Sequence, residues 1–168
     1  MGEAKFGLID GVLSTVSGWV GKDEVVRLTF DPKIISYREL VAAAKGRDCA
    51  TLAFPIDESQ EKHARKIYGE RTKRATPDKV RVVADTKYYL RRSALRFVPM
   101  TTLQATRANA MVATATEGTL LSPRQKEALR IIEASPDAGW TDVVDKDLRR
   151  SWEKVDARIQ SLEGSKKE

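Results

Sequence analysis

Cysteine and histidine are almost missing from this 168-residue chain, which has one of each, Cys49 and His63. A single cysteine excludes an intrachain disulfide, and one cysteine with one histidine leaves no set of zinc-type ligands. A carboxylate site for a hard cation has no motif behind it, so no metal and no cofactor are expected. No apolar run approaches the roughly 20 residues that span a bilayer, and no membrane partner is expected. The opening Met1-Gly2-Glu3-Ala4-Lys5 has no charged leader followed by an apolar stretch. A soluble, cytoplasmic protein is the expectation, although a leader already removed leaves no trace.

Hydrophobic residues make up 41% of the chain and charged residues 32%, a globular composition that argues against wholesale disorder. The length suits one ordinary domain, or a smaller one with a helical extension, and two large domains do not fit. A net charge of +6 raises the question of nucleic acid. The basic residues are scattered, with mild clusters at Lys62 to Lys66, Arg71 to Arg74 and Arg91 to Arg96. Charged residues on helices usually form a solvated face, so nucleic acid is the least favoured partner.

Glu3 to Ile9 reads as a short helix and Val12 to Val20 as a strand, with Val12, Val16 and Val20 on one face and Leu13, Thr15 and Trp19 on the other. Gly21-Lys22-Asp23 turns the chain. Glu24 to Phe30 then alternates, Val26, Leu28 and Phe30 pointing one way, which predicts a hairpin ended by Asp31-Pro32. Ser36-Tyr37-Arg38-Glu39 is a capping box that opens a helix closed by Gly46. Ala50 to Phe54 reads as a third short strand, Asp57 caps a helix running to Tyr68, and Val80 to Val83 is one more candidate strand. His63, among charged neighbours, reads as a solvent-facing residue.

Beyond this point the pattern is helical. Thr101 to Gln104 is a capping box for an alanine-rich segment ending near Gly118, and Ser122-Pro123 opens another helix with proline at its favoured first position. Val144, Leu148, Trp152, Val155, Ile159 and Leu162 recur at spacings of three and four, an apolar stripe better explained by packing within its own domain than by a partner coiled coil. The expected organisation is an α+β core over residues 1–85 and a mainly helical extension over 86–168.

Helix, strand, strand, helix, strand over the first 60 residues is a ferredoxin-like split β-α-β-β-α-β core with its first strand missing. Gly11-Val12-Leu13-Ser14-Thr15, then Gly18-Trp19, then the long run from Glu24-Val25-Val26-Arg27-Leu28-Thr29-Phe30-Asp31-Pro32 through Ile35-Ser36-Tyr37-Arg38-Glu39-Leu40 resemble A-type peptide methionine sulfoxide reductases. Asp57-Glu58-Ser59-Gln60 is similar to the acidic turn before that family's second long helix, so the resemblance extends to about residue 70. It implies a thiol oxidoreductase. In that family Gly-Cys-Phe-Trp-Gly opens the first helix and is followed by a glutamate that Glu3 matches, which would place the nucleophile a few residues ahead of Met1. A helix N-terminus suits it, because the macrodipole favours the attacking thiolate.

The chemistry also needs an acid for the departing oxygen and a second thiol to clear the sulfenic acid. The resemblance implies Glu24 as the acid, and a plain solvent carboxylate is the alternative. Trp19 stands near the family's aromatic position and is a candidate wall for the substrate's methyl group, or simply part of the core. Cys49 is either a resolving thiol or a buried small hydrophobe. The implied partners are a sulfoxide substrate, protein or small molecule, and a thiol reductant such as a thioredoxin-like protein. Two family features are absent: the glycine-rich stretch before the acid is reduced to Val20-Gly21-Lys22-Asp23, and no Gly-x-Gln-Tyr-Arg motif lies between Gly46 and Ala50. The chain as written is therefore expected to be inactive. The competing readings are a non-catalytic interaction scaffold of the same fold and, less favoured, a basic nucleic-acid adaptor.

Overall fold

Period-two alternation in residues 12–30 does produce a hairpin. The computed structural model of the protein describes residues 2–47, 50–116, 118, 120 to 164, and divides the chain into two compact units, Met1–Thr86 and Lys87–Glu168. The first contains α1 (Gly2–Gly7), β1 (Val12–Val20), β2 (Asp23–Phe30), α2 (Tyr37–Gly46), α3 (Glu58–Tyr68) and β3 (Arg81–Val82). The fold is mixed α and β, with an antiparallel sheet of three strands in the order β2-β1-β3.

Pairing between β1 and β2 runs Val20 with Asp23, Trp19 with Glu24 and onward to Thr15 with Leu28, then slips so that Ser14 faces Thr29 while Val12 faces Phe30. Leu13 is the extra residue, and a bulge of this kind reverses the facing of everything beyond it. That corrects the alternation expected from sequence. Thr15, not Val16, joins Val12 on the buried side, both with no exposed surface, while Leu13 is 39% exposed. α1 lies against this face, where Phe6 and Ala4 are buried.

α2 begins at Ser36, whose side chain accepts from the Glu39 amide while Glu39 accepts from the Ser36 amide. That reciprocal bonding satisfies two donors the helix itself leaves orphaned. Residues 50–54 do not join the hairpin sheet. Instead Ala53 and Pro55 pair in parallel with the stretch after α3: the Ala53 amide donates to Arg71 at 3.1 Å, the Lys73 amide to Ala53 at 3.0 Å and the Ala75 amide to Pro55 at 3.4 Å.

The second unit is helical, with α4 (Tyr88–Arg91), α5 (Thr102–Thr114), α6 (Pro123–Ala134) and α7 (Leu148–Gly164). Capping boxes at Thr101 and Ser122 open α5 and α6. α5 ends at Ala115 in a left-handed conformation, short of the Gly118 expected from composition. α7 opens at Asp147, whose carboxylate accepts from the Arg150 amide at 2.9 Å, so Val144 precedes the helix instead of joining its stripe. Leu90, Val98, Met100, Ala105, Ala108, Ile132 and Val144 form the core of this unit.

Candidate functional site

The turn at Gly21, with φ of +59°, has two residues between paired positions, so it fixes which side chains meet along the hairpin. Trp19 and Glu24 are set directly opposite each other one step from that turn. Both line a cavity of about 1070 Å³ in the first unit, together with Val26, Leu28, Tyr37 and Leu40. The cavity lining is thus mainly apolar and includes an indole and a carboxylate. Of the residues singled out in the sequence, the structure brings these two together.

Trp19 is half-buried and Glu24 is exposed. Beside Glu24, Asp23 is engaged by Lys73 at 2.7 Å, which holds the hairpin end against the segment following α3. Cys49 lies outside the described residues. Ala50 and Thr51, which follow it, line the same cavity. His63 is half-buried on α3 and is not among the cavity residues.

Two groups carry polar chemistry to which the motif reading gave no role, although it matched Glu3 to a family glutamate. Glu3 on α1 is 5% exposed, and its carboxylate accepts a 2.6 Å hydrogen bond from the Ser17 hydroxyl and a longer one, 3.4 Å, from Thr15. The available signal was an acidic residue among Ala4, Phe6 and Gly7 on a short apolar helix. Tyr37 at the start of α2 faces the cavity, and burial, with help from the charges of Asp57 and Tyr68, pushes its phenol up to about 12.

Among the described residues, no group of three or more His, Cys, Asp or Glu is placed to hold a metal ion. No described helix is long and apolar enough to cross a membrane. No protein-family model matches the chain, and no curated protein matches it.

Proposed function

We propose that the first unit is the core of a thiol oxidoreductase related to the A-type peptide methionine sulfoxide reductases, a ferredoxin-like split unit in which Glu24 is the acid and Trp19 the wall for the substrate's methyl group. The observation that carries this reading is the placement of Trp19 opposite Glu24 in the lining of a mainly apolar cavity. A sulfoxide has an apolar carbon skeleton and one strongly accepting oxygen, and the cavity offers a mainly apolar lining that includes the carboxyl group of Glu24.

In the proposed reaction a thiolate ahead of α1 attacks the sulfoxide sulfur while Glu24, protonated, gives its proton to the oxygen. Oxygen transfer leaves the sulfide and a sulfenic acid. Cys49 then attacks the sulfenic sulfur, water departs, and the resulting disulfide is reduced by an external dithiol such as a thioredoxin-like protein. Two electrons pass from the dithiol to the sulfoxide overall, and the oxygen leaves as water.

The test is sulfide formation from methyl p-tolyl sulfoxide with dithiothreitol, using protein that carries the residues encoded ahead of Met1. Turnover that falls about 100-fold or more in Glu24→Gln supports the reading. Absence of turnover sinks it. Turnover by the 168-residue chain alone, lost in Cys49→Ser, reassigns Cys49 as the nucleophile.

The exposure of Glu24 favours a second reading, since an acid of this kind works best when an apolar setting keeps it protonated. In that reading the unit is a non-catalytic scaffold that keeps the fold without the chemistry, and restoring upstream residues yields no reductase activity.

A further inference from the structure

The polar side chains that line the cavity of the first unit sort by charge. Lys22, Glu24 and Arg27 are exposed, and Asp23 is engaged by Lys73. The polar groups that the helices contribute, Tyr37 from α2 with Gln60 and Tyr68 from α3, are half-buried and neutral. A donor in such a setting costs free energy unless something accepts its hydrogen.

Two of these donors are unused within the unit. The Gln60 side-chain oxygen accepts from the Ile56 amide at 3.2 Å, which fixes the orientation of the side-chain amide and leaves Nε2 as its other end. Among the described residues neither Gln60 Nε2 nor the Tyr37 hydroxyl donates a hydrogen bond. Asp57 relates the two groups: its carboxylate accepts from the Gln60 backbone amide at 2.8 Å, and its charge acts on the Tyr37 phenol.

These surroundings select the charge of what the donors can hold. Burial, then the charges of Asp57 and Tyr68, keep the Tyr37 phenol protonated. What disfavours a phenolate there also disfavours a carboxylate or a phosphate laid against the same hydroxyl. The acceptor that fits is an electron-rich oxygen on an uncharged molecule. Val26 and Leu28 of β2 and Leu40 and Val41 of α2 line the same cavity, so the rest of that molecule is apolar.

We propose that Tyr37 and Gln60 form a two-donor subsite that holds the acceptor oxygen of a small, uncharged, mainly apolar molecule. Naming that molecule a sulfoxide rests on the reductase reading. A sulfoxide suits the subsite chemically, since its oxygen accepts two hydrogen bonds without net charge. Binding itself uses neither Glu24 nor a thiol, and the two residues bind without taking part in proton transfer.

The test is binding, followed by the amide shifts of the nitrogen-15-labelled 168-residue chain on titration with methyl p-tolyl sulfoxide, methyl p-tolyl sulfide and p-toluate. The sulfide is the same body without the oxygen and leaves water more readily, so apolar burial alone ranks it first. The expected order is sulfoxide ahead of sulfide, with p-toluate weakest, and shifts centred on Tyr37 and Gln60. Tyr37→Phe should weaken sulfoxide binding about 5- to 10-fold and leave sulfide binding unchanged. Gln60→Glu, which keeps an oxygen for the Ile56 amide and removes the donor, should weaken it at least as much. Amide spectra dispersed like the parent's establish that each variant is folded.

Sulfide or p-toluate bound as tightly as the sulfoxide, equal sulfoxide affinity in both variants and the parent, or no binding by the folded chain overturns the proposal. The reductase reading stands or falls separately. Sulfide formation with an unchanged KM in Tyr37→Phe would overturn this subsite and spare the reductase, whereas Tyr37-dependent binding without turnover would support the subsite and retire the reductase.

Discussion

The Ser17 hydroxyl donates to the carboxylate of Glu3 at 2.6 Å, joining the second residue of α1 to the middle of β1. A helix of six residues is too short to hold itself together in water, so α1 depends on this bond and on the burial of Phe6 and Ala4. Glu3→Ala removes the shared acceptor of two hydroxyls in a buried setting, and is expected to cost about 2 to 3 kcal/mol. Glu3→Gln keeps an oxygen in place and should cost about half as much. Urea unfolding measures both, and equal losses would mean that an amide oxygen at this position does nothing to hold α1, against the expected partial rescue.

Tyr37 gives the protein an alkaline limb. Burial disfavours the phenolate and the nearby charges of Asp57 and Tyr68 disfavour it further, so its folded pKa of about 12 exceeds the ordinary value of 10.0. Raised folded pKa means that the unfolded chain gives up the proton first. The stabilising effect is complete below pH 10.0 and is lost as pH rises toward about 12. Stability measured by urea midpoint should decline across that interval, and Tyr37→Phe should flatten part of the decline. A Tyr37→Phe protein that loses stability with pH as steeply as the parent would show that the phenol does not contribute.

The parts of this fold that a reader of the sequence can find are those written in local chemistry. The capping boxes at Ser36, Thr101 and Ser122 need only residues three apart. The hairpin itself is written in the alternation, but a turn read as Gly21 to Asp23 sets Val20 opposite Glu24; Asp23 belongs to β2, and the two-residue turn puts Trp19 there instead. The bulge at Leu13 has no local mark: Ser-Thr-Val on either register looks like a strand, and the choice is made by what packs on it. Because the bulge decides that Thr15 and Ser17 face α1, the environment of Glu3 was hidden along with it. The pairing of Ala53 with Arg71 and Lys73 is likewise set by the route the chain takes after α3, which periodicity in residues 50–54 does not contain.

Gly11 is required where it stands. Its φ of +85° is a left-handed conformation, and a β-carbon there would come within 2.5 Å of Ile35 Cγ2 and 3.1 Å of Ile34 Cβ. Isoleucine is branched at that carbon and has little rotamer freedom with which to withdraw. The Gly11 carbonyl also accepts from the Asp31 amide at 2.8 Å, closing the open end of the hairpin. Gly11→Ala should cost about 1 to 2 kcal/mol for the backbone alone, and more from the crowding. A thermal midpoint unchanged in Gly11→Ala would show that the loop can move aside.

In the second unit Asn109, 1% exposed, sends its side-chain oxygen to the start of α4, where it accepts from the amides of Tyr89 at 3.0 Å and Leu90 at 3.1 Å. α4 has only four residues, and the residue before it, Lys87, makes no side-chain cap. Asn109 therefore acts as a cap delivered from 20 residues away on α5. Without it two amide donors are left inside the unit, since the space around Asn109 is closed to water. Asn109→Ala is expected to cost about 2 to 4 kcal/mol, and Asn109→Leu a similar amount, because restoring volume restores no acceptor. The decisive reading is local: amide exchange at Tyr89 and Leu90 should accelerate more than at Ala108 and Ala110 beside the substitution. If Asn109→Leu recovered the parent stability, packing would be the role of Asn109, and the donors of α4 would have to find their acceptor elsewhere.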